Sequence, residues 1–315
     1  MTVQQDTKTK KPTFMKKKTK QTLFYCAMVA LPILQFLIFY VGVNINSILL
    51  SFKSITQEMD PVTGKFFYKE SFVGFQTFET VLKELFSTEM KVVWKNTFTV
   101  YFMNLLLGMP FGVLFSYYIF KKFVGAQLFK ILLFLPSVVS GLVLIVMYRY
   151  FVVDVLPKLF PAMPDLLDPS STDAFYTLWV FTWWMGFGSS IMMYVGGMNN
   201  ISQSVLEYAK LDGVSALQEF VYIIFPLVYP TFVTFIVVGL AGIFTNQMRL
   251  FDFYGRSAEM YLRTVGYHLY AEVQKAGTNI SKYPHYAAMG VFFTLITVPV
   301  TLTARWALQK LGPKV

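Results

Sequence analysis

The chain has 315 residues, 55% of them hydrophobic, 18% aromatic and only 14% charged. Soluble domains carry about a quarter charged residues, so a deficit spread along the whole chain makes a bilayer the solvent. The net charge of +10 is not gathered on a folded basic domain, which argues against a nucleic-acid partner.

The excess charge begins at the N-terminus, where Lys8, Lys10, Lys11, Lys16, Lys17, Lys18 and Lys20 precede the first apolar run. Basic residues abutting an apolar segment hold their side of the membrane in the cytoplasm. Residues 1–21 therefore read as a basic cytoplasmic tail, 22–307 as a transmembrane domain and 308–315 as a second cytoplasmic tail. The first run is too long for a cleaved signal peptide and lacks a small-x-small cleavage site. It contains Cys26, the single cysteine, so no intrachain disulfide can form.

Six segments are long and apolar enough to cross about 30 Å of hydrocarbon. They run from Leu23 to Val43, Val93 to Tyr118, Leu128 to Met147, Phe175 to Val195, Phe225 to Gln247 and Ala287 to Trp306. Lys121, Lys122 and Lys130 lie in the tight second connection, and Arg305, Lys310 and Lys314 in the tail. With six spans these fall on one side, placing both termini in the cytoplasm. Outer loops then cover about 52–92, 150–174 and 248–286. In the first, Phe75, Phe78, Leu82, Leu85 and Phe86 recur at helical spacing, the pattern of a short amphipathic helix. The fold class expected is an all-α integral membrane protein of about six transmembrane helices.

No Asp or Glu occupies the middle of a span, so the proton or ion relay of a secondary carrier has no obvious seat. Nor is there a phosphate-binding loop, since Gly64-Lys65 is followed by Phe66 and lacks the upstream glycine. The two histidines, His268 and His285, fall on an outer loop and read as solvated residues rather than metal ligands. No catalytic residue, metal site or bound cofactor is expected, and the energy source must lie outside the chain.

A coupling loop at 198–224 joins the fourth and fifth spans, and the stretch from Glu207 in this loop to Pro230 in the fifth span reads EYAKLDGVSALQEFVYIIFPLVYP. Val205 to Leu211 suits a helical turn or two, and Gly213 permits a sharp bend. Val214, Leu217 and Val221 suit a second short helix, and Pro226 marks the start of the next span. The product is a knob projecting from the membrane. Glu207, Ala209, Gly213, Ile223 and Pro226 match in register the E-A-A-x3-G-x9-I-x-L-P signature of ATP-binding-cassette importer permeases, which this segment resembles. Asp212 and Pro230 fall at commonly matched positions, while Tyr208 replaces the first Ala and Phe225 the Leu. Ser71 to Phe78 looks like the FVGLxNF stretch of carbohydrate (maltose-type, binding-protein-dependent) permeases, and Lys95-Asn96-Thr97 like the motif opening their next helix.

The resemblance implies an importer-permease bundle with a cytoplasmic coupling helix, in which Glu207, Ala209, Asp212 and Gly213 dock on an ATPase. It implies a sugar or oligosaccharide as cargo and a bacterial plasma (inner) membrane as location. The implied partners are a second permease subunit, two ATPase subunits that use ATP-Mg, and an extracellular or periplasmic solute-binding protein. Polar groups and aromatic faces hold sugars, so Trp184, Gly186 and Ser189 in the fourth span, Asn246 in the fifth and Asn104 in the second are pathway candidates. The same residue types also serve bilayer interfaces and helix packing. Importers of phosphate, polyamines or oxyanions share the signature, and a stand-alone carrier or channel remains the rival of a different class.

Overall fold

A computed structural model of the chain describes residues 17–61 and 64–313. Lys8, Lys10, Lys11, Lys16 and Lys314, which carry part of the expected charge bias, lie outside the described residues. The chain forms two compact units, Met1–Leu50 and Ser51–Val315. The described residues of the first form one helix, α1 (Lys18–Leu50), with Pro32 inside it and a π turn at Phe36–Gly42.

The second unit opens with a hairpin, β1 (Lys53–Met59) and β2 (Phe66–Phe72), paired antiparallel from Lys53↔Phe72 to Met59↔Phe66. Helix α2 (Gln76–Leu85) follows and buries Val81 and Leu85, so the helix expected from the phenylalanine and leucine spacing is present. The hairpin is an addition to that loop; alternating residues such as Phe66, Tyr68 and Phe72 suit a strand. Next come α3 (Thr88–Phe120), α4 (Ala126–Val138) and α5 (Gly141–Leu159). Helices α6 (Thr172–Asn199) and α7 (Gln203–Leu211) lead to α8 (Ala216–Ala241). The chain closes with α9 (Leu250–Tyr254), α10 (Val265–Ala276) and α11 (Ile280–Leu311).

Among the described residues, α1, α3, α8 and α11 are long and apolar enough to cross a membrane, and α4 with α5 makes a fifth candidate. That pair is bent by 107°, which corrects the single third span expected from Leu128 to Met147. The break has a local cause: Pro136 denies the helix a donor, Val139 is extended, and Ser140-Gly141 begins a new helix. Helix α6 is unbroken over 28 residues, about 42 Å, but Trp, Tyr, Gly and Ser dilute its hydropathy. The expected six is therefore not confirmed by length and composition. The fifth span also stops earlier than expected, at Ala241, where Gly242 caps it and residues 242–245 turn.

Helix α6 is the centre of this unit. The second half of α3 and helix α4 pack on it, and α8 lies against both α6 and α11. At Gly188 a Cβ would press into the Leu133 carbonyl and stand 2.9 Å from the Phe134 Cα, so this crossing of α4 and α6 requires glycine. Two ends follow from the contacts. Helix α2 meets the start of α11 through His285 and Glu84. The end of α3 meets the start of α8 through Tyr117 and Ala216, and Tyr229 bonds Leu308 near the end of α11.

A cavity and a knob on one helix bundle

A cavity of about 210 Å³ lies between α3, α6 and the turn at Met248. One wall is an aromatic run on α6. Trp179 and Trp183 stack with centroids 5.9 Å apart and planes 7° apart, and Phe187 continues the run at 4.6 Å. The facing wall is α3, where a π turn at Asn104–Gly108 interrupts the helix. Such turns are rare and recur at functional sites. Asn104 Oδ1 accepts from Trp179 Nε1 at 3.1 Å. A Cβ at Gly108 would stand 3.0 Å from Trp183 Nε1, so glycine lets that indole approach the backbone.

The polar groups of this cavity are incompletely paired. Thr182 Oγ1 donates to the Leu178 and Met248 carbonyls, but Trp183 Nε1 and the Tyr194 hydroxyl are buried without a partner among the described residues. More than nine in ten buried polar groups are paired, so two unpaired donors at one cavity single it out. The lining contains no Asp, Glu, Lys or Arg. Aromatic faces with a few neutral donors and acceptors suit a guest that carries both C–H faces and hydroxyls.

The knob stands at the other end of the same helices. Helix α7 ends in paired bonds, Val214 N–H to the Ala209 carbonyl and Gly213 N–H to the Lys210 carbonyl, both at 3.1 Å. This is the Schellman arrangement, and it needs the left-handed φ of +72° at Gly213. Ser215 and Gln218 then form a capping box that starts α8. A π turn at Phe220–Ile224 carries the chain into the rest of that helix, and Pro226 stands two residues beyond that turn. Ala209 and Leu206 are buried, whereas Glu207, Asp212 and Gly213 are exposed. Tyr208, Leu211, Leu217 and Tyr222 are large apolar side chains left exposed around them.

Of the pathway candidates, Asn104 and Gly186 line the cavity. The other three lie elsewhere. Trp184 packs on the core beside Phe181, and Ser189 bonds back to the Gly186 carbonyl at 2.9 Å. Asn246 Oδ1 accepts from Met248 N–H at 2.9 Å, and its carbonyl accepts from Thr264 Oγ1 at 2.6 Å. On α6 the cavity face holds Gly186 but takes Trp183 and Ser190, the neighbours of the chosen Trp184 and Ser189. The three- and four-residue spacing of Trp179, Trp183, Gly186, Ser190 and Tyr194 was the available signal.

The histidines also differ from the solvated loop residues expected. His268 is buried on α10 and His285 lies in the first turns of α11. Both converge on Glu84 of α2, His285 Nε2 at 2.7 Å and His268 Nε2 at 3.8 Å. The imidazoles of His268 and His285 hold the Glu84 carboxyl well below the usual carboxylate range, at about 2. Among the described residues no group of three His, Cys, Asp or Glu is arranged to hold a metal.

Comparison with known proteins converges on one family. Residues 90–315 match the family described as binding-protein-dependent transport system inner membrane component. The arabinooligosaccharides transport system permease protein AraP of Bacillus subtilis (strain 168) is 24% identical over 306 residues, covering 92% of this chain and 88% of that one. A crystal structure of a bacterial ABC transporter that imports the acidic polysaccharide alginate superposes with a TM-score of 0.72 at 19% identity, covering 94% of this chain and 99% of that chain. The bacterial alginate ABC transporter in complex with an alginate pentasaccharide-bound periplasmic protein superposes with a TM-score of 0.67 at 19% identity, over 91% and 94%.

Proposed function

This chain belongs to the family of binding-protein-dependent transport system inner membrane components, and from that premise we propose that it is a permease subunit of an ATP-driven importer of a neutral sugar or oligosaccharide. The observation that carries the cargo class is the cavity wall. It offers stacked indoles, an amide and two unpaired donors, without a single charge. Phosphate, other oxyanions or polyamines need countercharges to leave water, so the lining favours a polyol over them. The arabinooligosaccharide permease AraP among its relatives supports the same choice.

The chain itself performs no covalent chemistry. A second permease completes the pathway, two ATPase subunits bind ATP-Mg at the knob end, and a solute-binding protein delivers cargo at the hairpin end. Glu207, Asp212 and Gly213 present the exposed surface on which an ATPase docks, while buried Ala209 fixes how that surface sits. The lysines that precede the first span and those at 121–130 support a cytoplasmic knob and cytoplasmic termini in a bacterial plasma membrane. Transport is then a population shift: nucleotide binding changes which bundle state the cargo meets.

The test is uptake into proteoliposomes holding the assembled complex and its receptor, with arabino-oligosaccharides, phosphate and spermidine offered in turn. Uptake of the sugar alone, lost in Trp183→Ala, supports the assignment. Uptake of phosphate or spermidine but no sugar overturns the cargo class.

A further inference from the structure

Lys121 follows the last turn of α3, and Glu219 stands in the first turn of α8, inside the knob. Their side chains are only 19% and 5% exposed, and the ammonium lies 2.9 Å from both carboxylate oxygens. Beside them the Tyr117 hydroxyl donates to the Ala216 carbonyl at 2.9 Å, and its ring meets Phe220 at 5.1 Å. An enclosed ion pair is a weak stabiliser, because desolvation offsets its attraction; its best-attested use is to fix one register between elements. An apolar contact tolerates sliding, whereas a bidentate charge contact does not.

What lies beyond the clasp gives that register a use. Helix α3 runs from Lys121 back to Gly108 over about 20 Å, and Gly108 and Met109 line the cavity. Tyr194 of α6 reaches the same two places, since it lines the cavity and packs in the core under the knob with Tyr117 and Leu206. We propose that the Lys121–Glu219 pair is a positioning contact that makes the knob and the second half of α3 move as one body. A displacement imposed on the knob thereby reaches the cavity wall. This rests on the importer reading, in which an ATPase supplies the displacement.

The test uses the assembled membrane complex with Cys26→Ala and a reporter, Ser190→Cys, in the cavity. Its labelling rate with a small maleimide is compared without nucleotide and with ATP-Mg and vanadate. Lys121→Met and Glu219→Gln each leave one charge unpaired and can unseat the knob. The uncharged double variant Lys121→Met/Glu219→Leu and the swap Lys121→Glu/Glu219→Lys are therefore measured beside them, with co-purified ATPase as the control. With the pair intact, nucleotide changes the labelling rate about tenfold; in the uncharged double it changes less than about twofold although the ATPase stays bound, and the swap recovers most of the response. A wild-type nucleotide response in the uncharged double overturns the proposal. So does loss of the ATPase from that variant, or a swap that recovers nothing. If the complex with the pair intact binds no ATPase, the importer reading itself fails and takes this inference with it.

Discussion

Two glycines two residues apart on α6, and so on opposite faces of it, separate packing from function. A Cβ at Gly188 meets the backbone of α4, whereas at Gly186, which lines the cavity, it meets nothing within 4 Å. Gly188→Ala is expected to destabilise the bundle by about 1–3 kcal/mol, as overpacking does; Gly186→Ala should leave the melting temperature unchanged. Equal melting temperatures for the two variants would contradict the tight α4–α6 crossing. Trp183→Ala removes an indole from the cavity wall and should raise the KM for sugar about thirtyfold, or about 2 kcal/mol, with little effect on assembly. The Glu84 carboxyl carries a pH signature. Its pKa falls from an ordinary 4.5 to about 2 in the fold, so its contribution is complete above about 4.5 and is lost as pH drops toward 2. The melting-temperature advantage of wild type over Glu84→Gln should shrink through that window. An advantage that stays constant there would refute the Glu84–histidine tie.

At the scale of elements, the sequence made some features legible and hid others. The knob could be read because its signals are local: a glycine at its left-handed position, apolar spacing on either side, and a proline where the fifth span was expected to start. Helix α2 could be read from apolar spacing alone. The break between α4 and α5 was hidden because every residue around Pro136 is apolar or small, and a hydropathy pattern does not record chain direction. The cavity face of α6 was met at Gly186 but missed at Trp183 and Ser190 because that helix is apolar on every side, leaving no polar face to set its rotation. The Glu84 cluster was invisible because its members are far apart in sequence. The knob also gives the element-scale prediction. Gly213→Ala places a side chain at φ +72°, costing about 1 kcal/mol and loosening the Schellman turn. Recovery of ATPase with the complex should fall, and Gly213→Asn, which tolerates that conformation, should retain more of it. Indistinguishable recovery from the two variants would remove the turn from the docking account.

Across the whole molecule, the second unit joins a neutral aromatic cavity to an exposed knob through α3 and α6, with no Asp, Glu, Lys or Arg among the described residues that line the cavity. A carrier driven by its own ion gradient would need a titratable or charged site on the pathway. Work done at the knob by a partner needs only a stiff connection to the cavity. The most direct measurement is oligosaccharide uptake by proteoliposomes containing either this chain with its second permease alone, or the same pair with ATPase subunits, receptor and enclosed ATP-Mg. Uptake confined to the complete assembly, and abolished when ATP is replaced by a non-hydrolysable analogue, is expected. Uptake by the permease pair alone, driven by a proton or sodium gradient, would contradict the importer and restore the secondary carrier.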